Sequence, residues 1–178
     1  MISILTLDEH PECNSRLPAL LNALEKMHLT PKFRGSEIIQ LQNYKTATLE
    51  DVAAVHSALE KTFKESLVAA GAGLSLVDYV VTSAKVTKNP PIGFALTCPP
   101  GHQAVPDGPM GPCFAGNVAI AARYAQRVHG LKHVLVIDFD AHHGNATNDV
   151  FYDDPDVFVF NLPRWDLPWC RENRRYRV

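Results

Sequence analysis

The chain has 178 residues, 46% of them hydrophobic and 20% charged, which fits one domain of ordinary size and argues against long disorder. Its 17 basic and 19 acidic residues leave a formal charge of −2, so there is no basic excess to drive direct binding to nucleic acid or an anionic membrane. No run approaches 18 apolar residues, which excludes a transmembrane helix at this level of reading. Met1 to His10 place no basic stretch before an apolar one, so they read as neither a signal nor a transit peptide. Cys13, Cys98, Cys113 and Cys170 are scattered without a C-x-x-C pair, and this spacing predicts reduced, intracellular thiols.

Leu17, Leu20, Leu21, Leu24 and Met27 fall on one helical face, with Ser15 as the N-cap. Pro31 and Gly35 then break the chain. A second helical stretch begins near Thr48, where Glu50 and Asp51 suit the positive end of the macrodipole. Val52, Val55, Leu59, Phe63 and Leu67 keep the 3.6 period; Gly71 and Gly73 loosen it; Leu74, Val77, Val80 and Val81 resume it. Ile92 to Thr97 reads as a short buried strand, followed by a loop rich in Pro and Gly from Pro99 to Pro112. Val118 to Val128 is an Ala-rich helix ended by Gly130. Val134 to Ile137 is a continuous apolar run, the mark of a central parallel strand covered on both faces, and Val157 to Phe160 is another. The alternation predicts an α/β fold, a mainly parallel sheet with helices on both faces.

Ligands of such sheets bind beyond the carboxyl ends of strands. Two polar clusters stand there: Pro99-Pro100-Gly101-His102-Gln103, and Asp138-Phe139-Asp140-Ala141-His142-His143-Gly144-Asn145. On extended backbone Asp138, Asp140 and His142 share a direction. Two carboxylates and an imidazole brought together repel unless a cation or proton intervenes, and oxygen with imidazole nitrogen suits a first-row divalent metal, zinc especially. The alternative is an Asp- and His-rich loop that caps a helix and binds nothing. His102, stiffened by two prolines and packed close by Gly101, is a candidate base or electrostatic partner for metal-bound water.

Together these motifs resemble the zinc-dependent histone deacetylase family. Cys98 to Ala104 is similar to its R-P-P-G-H-H-A, Gly111 to Ala122 to its glycine-phenylalanine-cysteine turn and following helix, and Asp138 to Thr147 to its D-x-D-x-H-H-G-N-G-T. His10 to Cys13 and Arg16 to Ala19 resemble its opening segment. The wording is class II-like, nearest the plastid-type deacetylases of plants. The resemblance implies an arginase/deacetylase-like fold, of which this chain is the N-terminal half, and removal of acetyl from lysine of histones or other proteins, a hydrolase of chromatin regulation. It implies Asp140 and His142 as two of three zinc ligands, His102 as the first of the paired histidines with Asp138 orienting it, Gly111 as the carbonyl that meets the substrate amide, and a monovalent-cation (potassium) site at the backbone oxygens of Asp138, Asp140 and His142.

Departures from the pattern set further expectations. Gln103 stands at the base position, and glutamine does not titrate. Pro112 replaces the phenylalanine of the acyl-lysine tunnel, and Ala146 a glycine. The third ligand, an aspartate, and the catalytic tyrosine of the family fall after the last residue here. Residues 1–162 are therefore read as a partial deacetylase domain, and residues 163–178, whose shifted reading frame can spell Gln-Asp-Gly, as an aberrant, frame-shifted tail. The expectation is an inactive chain, a truncated isoform that self-associates through its open sheet edge or pairs with a full-length deacetylase. A second enzyme class, the binuclear manganese ureohydrolases, shares the D-A-H of Asp140 to His142 but needs a carboxylate where Gly144 stands. The compartment, nucleus, cytoplasm or plastid, stays open.

Overall fold

The computed structural model describes residues 2–4, 16–57 and 64–162. Ser15, His10 to Cys13, Leu59, Phe63 and the segment 163–178 lie outside the described residues. In chain order the elements are β1 (Ile2–Ile4), α1 (Arg16–Lys26), α2 (Pro31–Arg34), a 3-10 turn (Gly35–Glu37), β2 (Gln40–Leu41), α3 (Leu49–Ala53), α4 (Lys64–Ala84), β3 (Phe94–Leu96), α5 (Asn117–His129), β4 (Val134–Asp138), α6 (Asn145–Phe151) and β5 (Val157–Asn161). Every strand pair among them is parallel, as the apolar runs predict.

The strands fall into two sheets, β2-β1-β3 and β4-β5. β4 and β5 pair from Val134↔Val157 to Asp138↔Asn161. Only one face of β4 is covered: Val136 is buried, but Leu135 and Ile137 are 60% and 55% exposed. Among the described residues β4 pairs with β5, and the exposure of Leu135 and Ile137 departs from the two-sided cover that its apolar run predicts.

The main core joins Ala70 and Leu74 of α4, Ala119 and Ile120 of α5, Val136, Phe151 and Val157. α4 is long and apolar enough to cross a bilayer by length and composition, although Ser75 and Asp78 break its apolar run. In this fold it lies along α5, and small residues let the two helices come close. Gly73 faces α5, with Ala121 Cβ 3.9 Å from where its own Cβ would be, while Gly71 faces the segment 45–47, where a Cβ would sit 2.0 Å from Lys45 O and 2.7 Å from Ala47 N. The segment laid across it is tied by Ala47 N–H to Leu67 O (2.9 Å) and Lys45 N–H to Ser75 Oγ (2.9 Å). Lys45 Nζ then reaches Asp78 Oδ2 at 2.7 Å and the Tyr124 hydroxyl, and His129 Nε2 donates to Asp78 Oδ1 at 2.7 Å. Burial works against the Asp78 carboxylate, but Lys45, His129 and Tyr124 hold its pKa below the usual value.

α1 buries Leu17 and packs Leu21 and Leu24 against Leu96 and Cys98. Its face is narrower than the periodicity implied, since Met27 falls past the helix end and is exposed. Pro31 starts α2 rather than ending structure, its fixed φ suiting a first helical position. α3 opens with a capping box: Asp51 N–H donates to Thr48 Oγ1 and Thr48 N–H to Asp51 Oδ2. It stops at Ala53, so the helix expected to run on from Thr48 is interrupted. α5 ends as predicted at Gly130, φ +69°, with a bond back to Gln126 O. Cys98 is disulfide-bonded, a correction to the reduced thiols expected, because spacing along a chain does not say which sulfurs the fold brings together. Cys113 is buried and not in a disulfide.

Candidate active site at the carboxyl ends of β3 and β4

The two loops that follow β3 and β4 meet. Gly101 lets the first lie against the start of α5, since a Cβ there would sit 2.2 Å from Ala115 O and 2.5 Å from Asn117 N. Asn117 Nδ2 donates to Pro99 O (3.0 Å), and Ala146 N–H to His102 O (3.0 Å). These contacts set His102 facing the end of β4, with Nδ1 2.9 Å from Asp138 Oδ2. A carboxylate only accepts, so the proton is on Nδ1 and Nε2 is left for chemistry. The bond to Asp138 raises the His102 pKa; burial opposes it, and the charges of Asp138 and Asp140 add to the rise. Gly144 makes room for this carboxylate: a Cβ there would lie 2.3 Å from Asp138 Oδ2.

Beyond Asp138 the backbone does not stay extended. Asp140 N–H donates to Asp138 Oδ1 (3.0 Å), and His142 N–H to Asp140 Oδ1 (2.8 Å). The side chains therefore form two pairs instead of one row: His102 with Asp138, and His142 Nδ1 with Asp140 Oδ1 at 3.0 Å. The two pairs stay close, since the charge of Asp140 acts on His102 and both line one cavity with His142. The strand ends at Asp138, where pairing with β5 ends, and each following residue turns on the preceding carboxylate. The side chains of His102 and Asp138 are 20% and 14% exposed, those of Asp140 and His142 49% and 47%. Burial opposes ionisation of Asp140, but the N–H and ring of His142 and the charge of His102 hold its pKa below the usual value.

Asp140 and His142 are donors of the kind zinc takes, already side by side. They are two. Among the described residues no three His, Cys, Asp or Glu side chains form a group able to hold a metal. The donor types fit and the number falls short, since a catalytic zinc site takes three protein ligands. At the cation site implied by the sequence, the Asp138 carbonyl already accepts from Leu162 N–H at 2.8 Å.

Gly111 and Pro112 occupy a tight turn between Met110 and Cys113, whose N–H and C=O groups exchange two bonds of 3.0 Å. Gly111 has φ +55°, a conformation that favours glycine, and a Cβ on it would stand 3.1 Å from Gln103 Oε1. Gln103, Pro112, His102, Asp140 and His142 line one cavity of about 420 Å³. A second, of about 540 Å³, separates β3 from β4 and is lined by Thr97, Asn117, Ile137 and Asp138. Arg16 borders both. Arg16, Asn117 and Gly144 stand in the sequence motifs without a role of their own; their spatial neighbours give them one.

The family described as the histone deacetylase domain matches residues 58–168. The chain belongs to the histone deacetylase family. Among its deacetylase relatives, Histone deacetylase 14, chloroplastic, of Arabidopsis thaliana is 54% identical over 86% of this chain and 43% of its own length. Histone deacetylase 10, chloroplastic, of Oryza sativa subsp. japonica is 49% identical over 86% of this chain and 41% of its own length. The solved structure "Crystal Structure of HDA15 HD domain" superposes with a TM-score of 0.72 at 26% identity, over 90% of this chain and 52% of that one. That superposition fits the arginase/deacetylase fold. The chain thus spans about two fifths of the length of these two curated relatives.

Proposed function

We propose that the ends of β3 and β4 form one half of a zinc-dependent deacetylase site acting on acetyl-lysine of histones or other proteins. The observation that carries this reading is the His102–Asp138 pair at 2.9 Å, set beside Asp140 and His142 in a chain of this family. Asp140 and His142 would hold the metal, and potassium would sit at the backbone oxygens of Asp138, Asp140 and His142. Zinc, when bound, supplies a polarised acetyl carbonyl and an activated water.

The rest falls to the chain itself. Asp138 fixes the His102 tautomer and favours its charged form, which places a positive charge against developing negative charge. Gln103 orients by hydrogen bonds and moves no proton. The Gly111 carbonyl takes the substrate amide, and Pro112 narrows the cleft. The described residues supply two side-chain ligands, one short of a catalytic centre, so turnover needs a third from outside them. The partners expected on this reading are a second copy of the chain or a full-length deacetylase. The two chloroplastic relatives favour a plastid location over nucleus or cytoplasm.

The test pairs zinc titration calorimetry with an acetyl-lysine peptide assay on the purified chain and on Asp140→Ala. Weak zinc uptake that Asp140→Ala diminishes, without turnover, is expected. Turnover abolished by Asp140→Ala overturns the half-site reading. Zinc uptake indifferent to Asp140→Ala overturns the ligand assignment.

A further inference from the structure

His56 lies in the turn after α3, far in sequence from both site loops, and is 4% exposed. Its Nε2 accepts the Gly116 N–H at 2.9 Å. A backbone N–H only donates, so the ring proton is on Nδ1, which donates to Val105 O at 3.0 Å. Both ring nitrogens are therefore used, in opposite senses, by two different loops. Val105 follows His102 and Gln103 by two or three residues; Gly116 closes the loop that begins with Gly111 and Pro112. Ser57 strengthens the first attachment, with its N–H on Pro106 O (2.9 Å) and its hydroxyl on Asp107 Oδ1 (2.7 Å). Burial pushes the His56 pKa below the usual value, in keeping with a neutral ring of one fixed tautomer.

We propose that His56 is a positioning residue: one neutral imidazole that holds the His102–Gln103 loop and the Gly111–Cys113 loop in register across the cavity they line. The functional meaning rests on the reading of that cavity as the substrate cleft; the clamp itself does not. It acts at a distance from the reacting atoms, by fixing the backbones that present them. A lone salt bridge or a packed leucine would not do this, since neither offers one donor and one acceptor on a rigid ring.

Two substitutions separate the two attachments. The His56→Asn amide ends where Nδ1 stands, so it keeps the donor to Val105 and loses the acceptor for Gly116. The longer His56→Gln places its oxygen near Nε2, keeping Gly116 and losing Val105. Residue-resolved hydrogen exchange on the whole chain, without metal or substrate, reads the result. With His56→Asn, the amides of Gly116 and Ile120 exchange about tenfold faster while Ala104 and Gly108 hold, a tenfold change being about 1.4 kcal/mol. With His56→Gln, Ala104, Gly108 and Ser57 quicken and Gly116 holds. Nitrogen-15 NMR of the unmodified protein shows His56 protonated on Nδ1 only. Uniform acceleration in both variants, no change in either loop, or a ring protonated on Nε2 overturns the proposal. None of these outcomes depends on zinc or turnover, so the clamp and the deacetylase reading fail separately.

Discussion

Two glycines of α4, two residues apart, give a sharp test of the packing. Alanine in place of an interior helical glycine ordinarily gains about 0.5–1 kcal/mol, because glycine loses more backbone freedom on folding. Gly73 is such a site: its Cβ would meet nothing closer than Ala121 Cβ at 3.9 Å. Gly71 is not, since its Cβ would stand 2.0 Å from Lys45 O, a backbone atom with no rotamer to escape into. The segment 45–47 must lift, straining the Ala47–Leu67 and Lys45–Ser75 bonds, each worth about 1 kcal/mol. Overpacking adds about 1–3 kcal/mol. Set against the helix gain, Gly71→Ala loses about 3 kcal/mol, a large share of the roughly 5–15 kcal/mol that holds a domain together. Urea unfolding followed by far-ultraviolet circular dichroism compares both variants with the parent. Gly73→Ala should raise the midpoint slightly and Gly71→Ala lower it strongly. A Gly71→Ala chain as stable as the parent, or two variants shifted alike, refutes the reasoning.

Three further outcomes follow from the site. Asp138→Asn removes the strongest influence raising the His102 pKa, so the His102 ring-proton titration moves to lower pH by NMR; an unmoved midpoint denies the pair. Gly144→Ala drives a methyl into the Asp138 carboxylate, which costs about 1–3 kcal/mol by overpacking and shifts the His102 titration in the same direction; stability measured alongside that titration shows whether the two effects travel together. Stability depends on pH with two opposed signs. Burial lowers the His56 and His143 pKa values, so below about pH 6.5 the unfolded chain takes protons first and stability falls with pH. The raised His102 pKa contributes stability that is complete below about pH 6.5 and is lost as pH rises through the folded value. Urea midpoints between about pH 5 and 8 should show a shallower acid limb in His56→Gln; an identical limb contradicts the buried neutral ring.

The parts of the fold written as local pattern were legible. β4 and β5 announced themselves as apolar runs, and α5 by its Ala-rich period and its closing Gly130. The residues of the site cluster stood together in sequence after β4, where strand-end chemistry is expected. What escaped has no local signature. β1 and β2 are three and two residues long, too short to show a period. α3 stops without glycine or proline, and Val52 and Val55 continue a helical rhythm into a turn whose purpose is to carry His56 inward. The pairing of His102 with Asp138, 36 positions apart, was legible only through a family resemblance, and that of His56 with Gly116, 60 apart, not at all. Nor does the alternation of Asp138, Asp140 and His142 reveal that β4 ends at Asp138, where carboxylates accept the N–H groups of Asp140 and His142.

No backbone ladder joins β3 to β4 among the described residues, so the span between His102 and Asp138 is not set by a sheet. It is set by direct ties between the two loops and the start of α5: the His102–Asp138 bond, Ala146 N–H on His102 O, and Asn117 Nδ2 on Pro99 O. The seat of Gly101 on the start of α5 is in effect the gauge block of the cluster, since a Cβ there would stand 2.2 Å from Ala115 O. A side chain at Gly101, outside the reacting atoms, therefore reaches them as altered spacing.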